Sequence, residues 1–249
     1  MYCLRCSRHT KWLKTDKTKK IEDEIVRVWK CGTCGGEQRG YVYTKRQQPK
    51  ELYFDVETSF LTVAVPQLRI RGGYISSSSI IRPMFIICWT AGWIGESKIY
   101  SACVTPNQAK HDDDSKILKP LWDLMNDADI VIGHNSNNFD IKTFNYRLWL
   151  NNLKPPERYM KLDTLKEAKK HFRAESNKMD YLSSRIDGKR KYKMETQDWI
   201  DCAAGNPKAL NKMMKYNRGD VREGKELYEK MLDWIPTLNG QSLRQGIVR

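Results

Sequence analysis

Hydrophobic positions first dominate over residues 25–30, a β-branched stretch that would place Ile25, Arg27 and Trp29 on one face and Val26, Val28 and Lys30 on the other and that predicts a strand. A second β-favouring run follows at residues 52–58, apolar except where Asp55 and Glu57 interrupt it. Arg71, Gly72, Gly73 and the serines Ser76 to Ser79 mark a loop within a long connection over residues 61–83. Residues 84–92 and 98–104 predict two more strands, joined by a turn at 95–97 into a hairpin. Over residues 114–127 the period becomes helical: Ile117, Leu118, Leu121, Leu124 and Met125 share one face, and Pro120 starts or kinks the helix. A compact strand at 130–134 follows at once, so helix then strand predicts parallel pairing. Helices are predicted at 140–151, 164–172, 179–186 and 207–234, the last with a break near Gly219. Three strands, a helix, a strand and then mostly helices predict an α/β three-layer domain with a mixed central sheet flanked by helices.

Composition adds a charge argument. The chain of 249 residues carries 44 Lys and Arg against 30 Asp and Glu, a formal net charge of +14. Residues 1–50 hold 13 of the basic and 5 of the acidic residues, a net +8, which leaves +6 for the remainder. Such a surplus favours nucleic acid, because each neutralised phosphate releases a condensed counterion. The longest apolar stretch, residues 84–95, is shorter than the roughly 18–20 residues that span a bilayer. A start at Met1, Tyr2 and Cys3 lacks the apolar core of a secretory signal, pointing to the cytoplasm or, for a viral protein, that of the host. The seven cysteines are then expected reduced, and metal binding outranks disulfides.

Four of those cysteines are Cys3 and Cys6, then Cys31 and Cys34, two Cys-x-x-Cys pairs with 24 residues between them. Each pair on a tight turn supplies half of a tetrahedral site, and four thiolates suit zinc. With a strand leading into the second pair, residues 1–46 resemble a zinc ribbon holding one structural Zn²⁺, since four thiolates leave no open position for water. His9 is a surface residue in this reading, and Cys88, Cys103 and Cys202 are core residues. Lys11, Lys14, Lys17, Lys19 and Lys20 suit either a phosphate-contacting loop or a solvated hairpin tip. Residues 47–50 form a linker, 51–235 the main domain and 236–249 a tail.

The chemistry is concentrated in carboxylates. Asp55 and Glu57 lie two apart on one strand, so their side chains leave the same face about 6–7 Å apart, close enough to share a divalent cation. Asn135 to Asp140 leave the end of a strand and enter a helix, where Asp140 also has an ordinary explanation as an N-cap. Tyr216 and Asp220 stand at i and i+4 on one helical face, an arrangement equally compatible with a solvent-facing pair.

In that order, Asp55-x-Glu57, Asn135-x3-Phe139-Asp140 and Tyr216-x3-Asp220 resemble the three motifs of the DnaQ-like (DEDD) 3′–5′ exonuclease superfamily, over residues 51–234. The tyrosine in the third motif is that of its Tyr class. The segment is similar to the proofreading domains of family B DNA polymerases and to stand-alone phage-type exonucleases, and Leu162 to Leu165 resemble a segment such nucleases carry between the second and third motifs. The resemblance implies an RNase H-like fold, two Mg²⁺ or Mn²⁺ ions and catalytic residues Asp55, Glu57, Asp140, Tyr216 and Asp220. It implies that Asp55 bridges both ions, Glu57 and Asp220 complete the site of the ion that activates water, and Asp140 holds the second. Thr58, Asn135 and Phe139 are its implied nucleic-acid contacts, although for Phe139 a core aromatic is the favoured reading. Tyr216, with an ordinary pKa near 10, is assigned to orienting water.

The substrate implied is a free 3′ end, single-stranded DNA ahead of RNA, with a basic cluster at Lys189, Arg190, Lys191 and Lys193 as a candidate phosphate track. A polymerase or another replication protein is the partner expected at the ribbon. Two alternatives remain: a nucleic-acid-binding recruitment protein on a scaffold nuclease fold, and an RNase H-like endonuclease or ribonuclease.

Overall fold

A computed structural model describes residues 2–3, 8–9, 12–21, 24–41, 49–67, 73–187 and 193–235. The chain divides into two compact units, Met1–Gln48 and Pro49–Arg249. In the first, β1 (Tyr2–Cys3) pairs with β2 (Arg8–His9), and β3 (Trp12–Ile21), β4 (Glu24–Cys31) and β5 (Glu37–Tyr41) form an antiparallel meander. The strand expected at 25–30 is β4. Lys14, Lys17, Lys19 and Lys20 lie within strand β3, not in a loop, because this segment pairs with β4 as far as Ile21. Beyond β4 the chain turns tightly: Gly35 N–H donates to Cys31 O and Cys31 N–H to Gly36 O, both at 2.9 Å, with Gly35 at φ +65°. Thr33 N–H points at Cys31 Sγ, 3.4 Å away. Of the four expected zinc ligands, Cys31 is buried and Cys34 exposed, whereas Cys6 and the side chain of Cys3 lie outside the described residues. The side chain of His9, Lys11, the cluster Lys189 to Lys191 and the tail 236–249 lie outside them as well.

The second unit is built on five strands: β6 (Glu51–Thr58), β9 (Ile86–Trp93), β10 (Tyr100–Cys103), β11 (Ile130–Gly133) and β12 (Met160–Asp163), in the order β10-β9-β6-β11-β12. Only β9 runs against the others. After β6 the chain moves to one side of the sheet and after β11 to the other, so the crevice between their carboxyl ends is a topological switch point, where such sheets bind ligands. The connection over residues 61–83 contains a small antiparallel pair, β7 (Thr62–Val63) with β8 (Ile80–Arg82), and between the two strands, directly before β8, a 3-10 turn at Ser77–Ser79 capped by the Ser76 hydroxyl.

Two cores sandwich the sheet. Phe54, Val56, Trp89 and Ala91 point to the face covered by α2 (Ser115–Asn126) and α3 (Asp140–Leu150), through Ile117, Leu118, Leu121, Ile141, Phe144 and Leu148. Trp89 Nε1–H donates to Ile117 O at 2.6 Å, so the indole is buried with its polar atom satisfied. On the opposite face Tyr53, Ile130 and Ile132 pack with Val221, Leu227 and Tyr228 of α7 (Pro207–Met231). Around them stand α1 (Pro106–Lys110), α4 (Thr164–His171), α5 (Met179–Asp187) and α6 (Thr196–Ala203).

Helix α7 is continuous through Gly219, against the expected break, and ends at Met231. One interior glycine costs a helix about 1 kcal/mol, which burial of the apolar side chains Met213, Val221, Leu227 and Tyr228 offsets. Farther along, Gly224 is needed for packing: a Cβ there would stand 2.1 Å from the Tyr53 hydroxyl, so the glycine lets α7 settle on β6. Several short elements escaped the periodicity argument, β12, α1 and α6 among them. Among the described residues no helix is long and apolar enough to cross a membrane.

Candidate active site

Strand β6 sets the first two carboxylates. Its alternation buries Tyr53 on the same face that presents Asp55 and Glu57, near its carboxyl end. Helix α7 crosses that face and brings Asp220, 4% exposed, to the pair, so carboxylate oxygens of Asp55, Glu57 and Asp220 all lie within 4.8 Å of one another. Three carboxylates so close repel one another unless a cation stands between them, and an all-oxygen donor set suits a hard divalent ion such as Mg²⁺ or Mn²⁺. RNase H-like nucleases use divalent metals, and this cluster has the ligand chemistry to hold one.

Asp140 lies beside this cluster, not within it. The parallel pairing of β6 with β11 ends at Tyr53 and Ile132, which leaves the Val56 amide beyond the ladder. Asp140 Oδ1 accepts that N–H at 3.1 Å. The capping explanation therefore fails: the N-cap of α3 is Phe139, and Asp140 is its first helical residue. Burial pushes the Asp140 carboxyl up to about 7, with the Val56 amide opposing and the charge of Asp163 adding to the rise.

Asp163, which the sequence marked only as part of the Leu162 to Leu165 segment and not as a site residue, holds the loop ahead of Asp140. It accepts from Asn135 N at 2.8 Å, Asn137 N at 3.2 Å and Leu165 N at 3.1 Å, capping α4 as it does so. Asn135 sits at φ +66°, a conformation asparagine tolerates, and turns its amide toward that carboxylate. Gly133 permits the return of the chain, because a Cβ there would meet Ser136 at 2.5 Å.

The pair expected on α7 faces the site and not solvent. Tyr216 is half-buried, and burial above all, then the charges of Asp220 and Glu57 and a hydrogen bond to Asp220, holds its phenol well above the ordinary range. It therefore keeps its proton at neutral pH. Next to it Asn217, fully buried, donates Nδ2–H to Asp55 Oδ2 at 2.7 Å. Asn217 Oδ1 meets no donor among the described residues, and a flipped amide would set oxygen against carboxylate, so the orientation is decided.

An aromatic series leads outward from Tyr216. Trp199 of α6 meets it edge-on, centroids 6.1 Å apart, and Phe60, 47% exposed just beyond β6, stacks on Trp199 at 6.1 Å and 26°. Neither was singled out from the sequence, where isolated aromatics carry no signal. Of the expected substrate contacts, Phe139 is 39% exposed, so the core reading of it fails; Asn135 is half-buried, and the Thr58 side chain is nearly enclosed.

A model of the RNase H superfamily matches residues 84–232, a stretch that begins after β6 and so excludes Asp55 and Glu57. Comparison with curated proteins finds no match. Among solved structures, the family B DNA polymerase of the hyperthermophilic archaeon Pyrobaculum calidifontis is similar at a TM-score of 0.56 and 14% identity, over 93% of this chain. This chain covers 31% of that polymerase, and at such identity the likeness is one of fold. The mixed five-stranded sheet flanked by helices is the RNase H-like nuclease fold, and the chain belongs to the RNase H superfamily.

Proposed function

We propose that the chain is a divalent-metal-dependent 3′–5′ exonuclease that hydrolyses phosphodiester bonds from the 3′ end of nucleic acid, with single-stranded DNA preferred. The observation that carries this reading is the set Asp55, Glu57 and Asp220 within 4.8 Å, with Tyr216 one helical turn before Asp220. Asp55, Glu57 and Asp220, with Asp140 beside them, would hold two Mg²⁺ or Mn²⁺ ions. When bound, such ions polarise the scissile phosphate and neutralise charge developing on its oxygens. Asn217 orients Asp55 through its 2.7 Å hydrogen bond. The Tyr216 phenol stays protonated, so it suits donating a hydrogen bond to the attacking water or a phosphate oxygen, and not removing a proton. Phe60 and Trp199 offer faces for bases, which favours a single strand over a duplex whose bases are already stacked. The exposed ring of Phe139, the Asn135 side chain and the backbone near Thr58 complete the proposed contacts with the terminal nucleotide.

For the N-terminal unit we propose that Cys3, Cys6, Cys31 and Cys34 hold one structural zinc and that the unit recruits nucleic acid or a replication protein; the turn at Cys31 to Gly36 supports the reading. The test of the main reading uses 5′-labelled single-stranded DNA and RNA with Mg²⁺, Mn²⁺ or EDTA. A ladder shortening from the 3′ end, abolished by EDTA and by Asp55→Ala, is expected. Discrete internal fragments would replace the exonuclease reading with an endonuclease, and binding without cleavage in either metal would leave a recruitment protein. Metal analysis should find about one tightly held zinc, lost in Cys31→Ser.

A further inference from the structure

The sheet face that presents Asp55 and Glu57 also carries two thiols that the proposed reaction does not use. Glu57 lies opposite Cys88 on β9, and Cys88 lies opposite Cys103 on β10. Directly opposed residues of antiparallel strands project to the same face, so these three form one row across the sheet, ending at the β10 edge. Val104 N–H donates to Ile87 O at 2.9 Å, which makes Val104 and Ile87 a hydrogen-bonded pair. The adjoining pair, Cys103 and Cys88, is then of the non-hydrogen-bonded kind, whose Cα atoms approach to about 4.5 Å with side chains at their closest. A disulfide tolerates that separation. Cys88 is fully buried, whereas Cys103 is half-buried on the edge strand, so Cys103 is the more accessible of the two to a small oxidant and Cys88 stands opposite it to resolve the product.

We propose that Cys88 and Cys103 form a reversible peroxide-sensitive modification site, closing to a disulfide that slows hydrolysis by disturbing Glu57; the second half of this proposal rests on the nuclease reading above. The Cys103 sulfur attacks a peroxide oxygen, the O–O bond breaks, and the thiol proton leaves with the departing hydroxyl as water. The Cys88 sulfur then attacks the Cys103 sulfenic sulfur, the S–S bond forms, and the hydroxyl departs as a second water with the Cys88 proton. Two thiols are oxidised and one peroxide is reduced. Closure draws the two sulfurs together to about 2.05 Å, pulling the Cys88 side chain toward β10 and away from its neighbour Glu57.

The full chain, freed of reductant, is treated with hydrogen peroxide, digested without reduction and analysed by mass, while its action on 5′-labelled single-stranded DNA is followed in parallel. Expected are a Cys88 to Cys103 linked peptide two hydrogens lighter than its parts, and a loss of rate of about tenfold, restored by dithiothreitol. Cys103→Ser and Cys103→Ala should keep the starting rate and resist peroxide, which separates this pair from the cysteines of the N-terminal unit and from Cys202. Absence of the linked peptide, an unchanged rate in the linked protein, or equal inhibition of both variants would overturn the proposal. A reduced chain that leaves DNA intact would sink the nuclease reading instead, and the peptide measurement would still decide whether the pair forms.

Discussion

Asn217 on α7 donates from Nδ2 to Asp55 Oδ2 on β6 across 2.7 Å, although 162 positions separate the two residues in the chain. The bond fixes the rotamer of the carboxylate at the centre of the cluster and ties the helix bearing Tyr216 and Asp220 to the strand bearing Asp55 and Glu57. Asn217→Ala should therefore lower nuclease activity about 10- to 100-fold and raise the Mg²⁺ concentration needed for half-maximal rate. Rates across a Mg²⁺ titration, with thermal melts alongside, check this; an unchanged titration with only a lowered melting temperature would reduce Asn217 to a packing residue.

The Phe60 and Trp199 rings stack beside Tyr216, and a base-stacking role predicts a specific kinetic signature. Base-on-aromatic stacking is worth about 1–3 kcal/mol per base, so Phe60→Ala should raise KM for single-stranded DNA roughly 5- to 150-fold with a smaller change in kcat. Trp199→Ala should do the same and also lower kcat, because Trp199 supports the Tyr216 ring. Steady-state kinetics on short oligonucleotides separate the two parameters.

Asp140 predicts a pH dependence for the metal-free protein. Its folded-state pKa of about 7 lies above the ordinary value of 3.8, so between the two the folded chain holds a proton that the unfolded chain has lost. Stability should fall as pH rises through this window, by at most about 1.4 kcal/mol per unit from this group, and level off above it. In Asp140→Asn that contribution disappears. Thermal melts in EDTA at several pH values, wild type against variant, measure the difference. Added Mg²⁺ should restore wild-type stability above pH 7 more than it does in the variant.

Two glycines of α7 predict opposite outcomes for the same substitution. Gly219→Ala meets nothing within 4 Å and should stabilise the chain by up to about 1 kcal/mol through helix propensity. Gly224→Ala drives a methyl into the buried Tyr53 ring and should destabilise by about 1–3 kcal/mol, displacing the helix that bears Tyr216, Asn217 and Asp220. Melting temperatures and nuclease rates of the two variants check both signs.

Much of the second unit is legible from local pattern. The alternation that buries Tyr53 and presents Asp55 and Glu57 is a property of any strand with this sequence, and the spacing of Tyr216 and Asp220 places them on one face of any helix. Helices α2, α3 and α5 fall within a residue or two of their expected bounds for the same reason: a 3.6-residue period is written in the side chains themselves. The expected break at Gly219 was misleading because propensity is weak against a buried helical face.

Contacts between segments far apart in sequence were decided only by tertiary structure. Periodicity says which face a residue occupies, not what the chain folds against that face. So the Asn217 bond to Asp55, the capture of the Val56 amide by Asp140, the Asp163 anchor of the Asn135 loop and the series Phe60, Trp199 and Tyr216 had no local signal. Cys88 and Cys103 illustrate the limit: scattered core cysteines by sequence, they become directly opposed only once the register of β9 and β10 is set. The sequence by itself determined which carboxylates and which phenol were available for chemistry. Only the packing of α7 across β6 decided that they meet, because that approach depends on the absence of a side chain at Gly224 and the burial of Tyr53 beneath it.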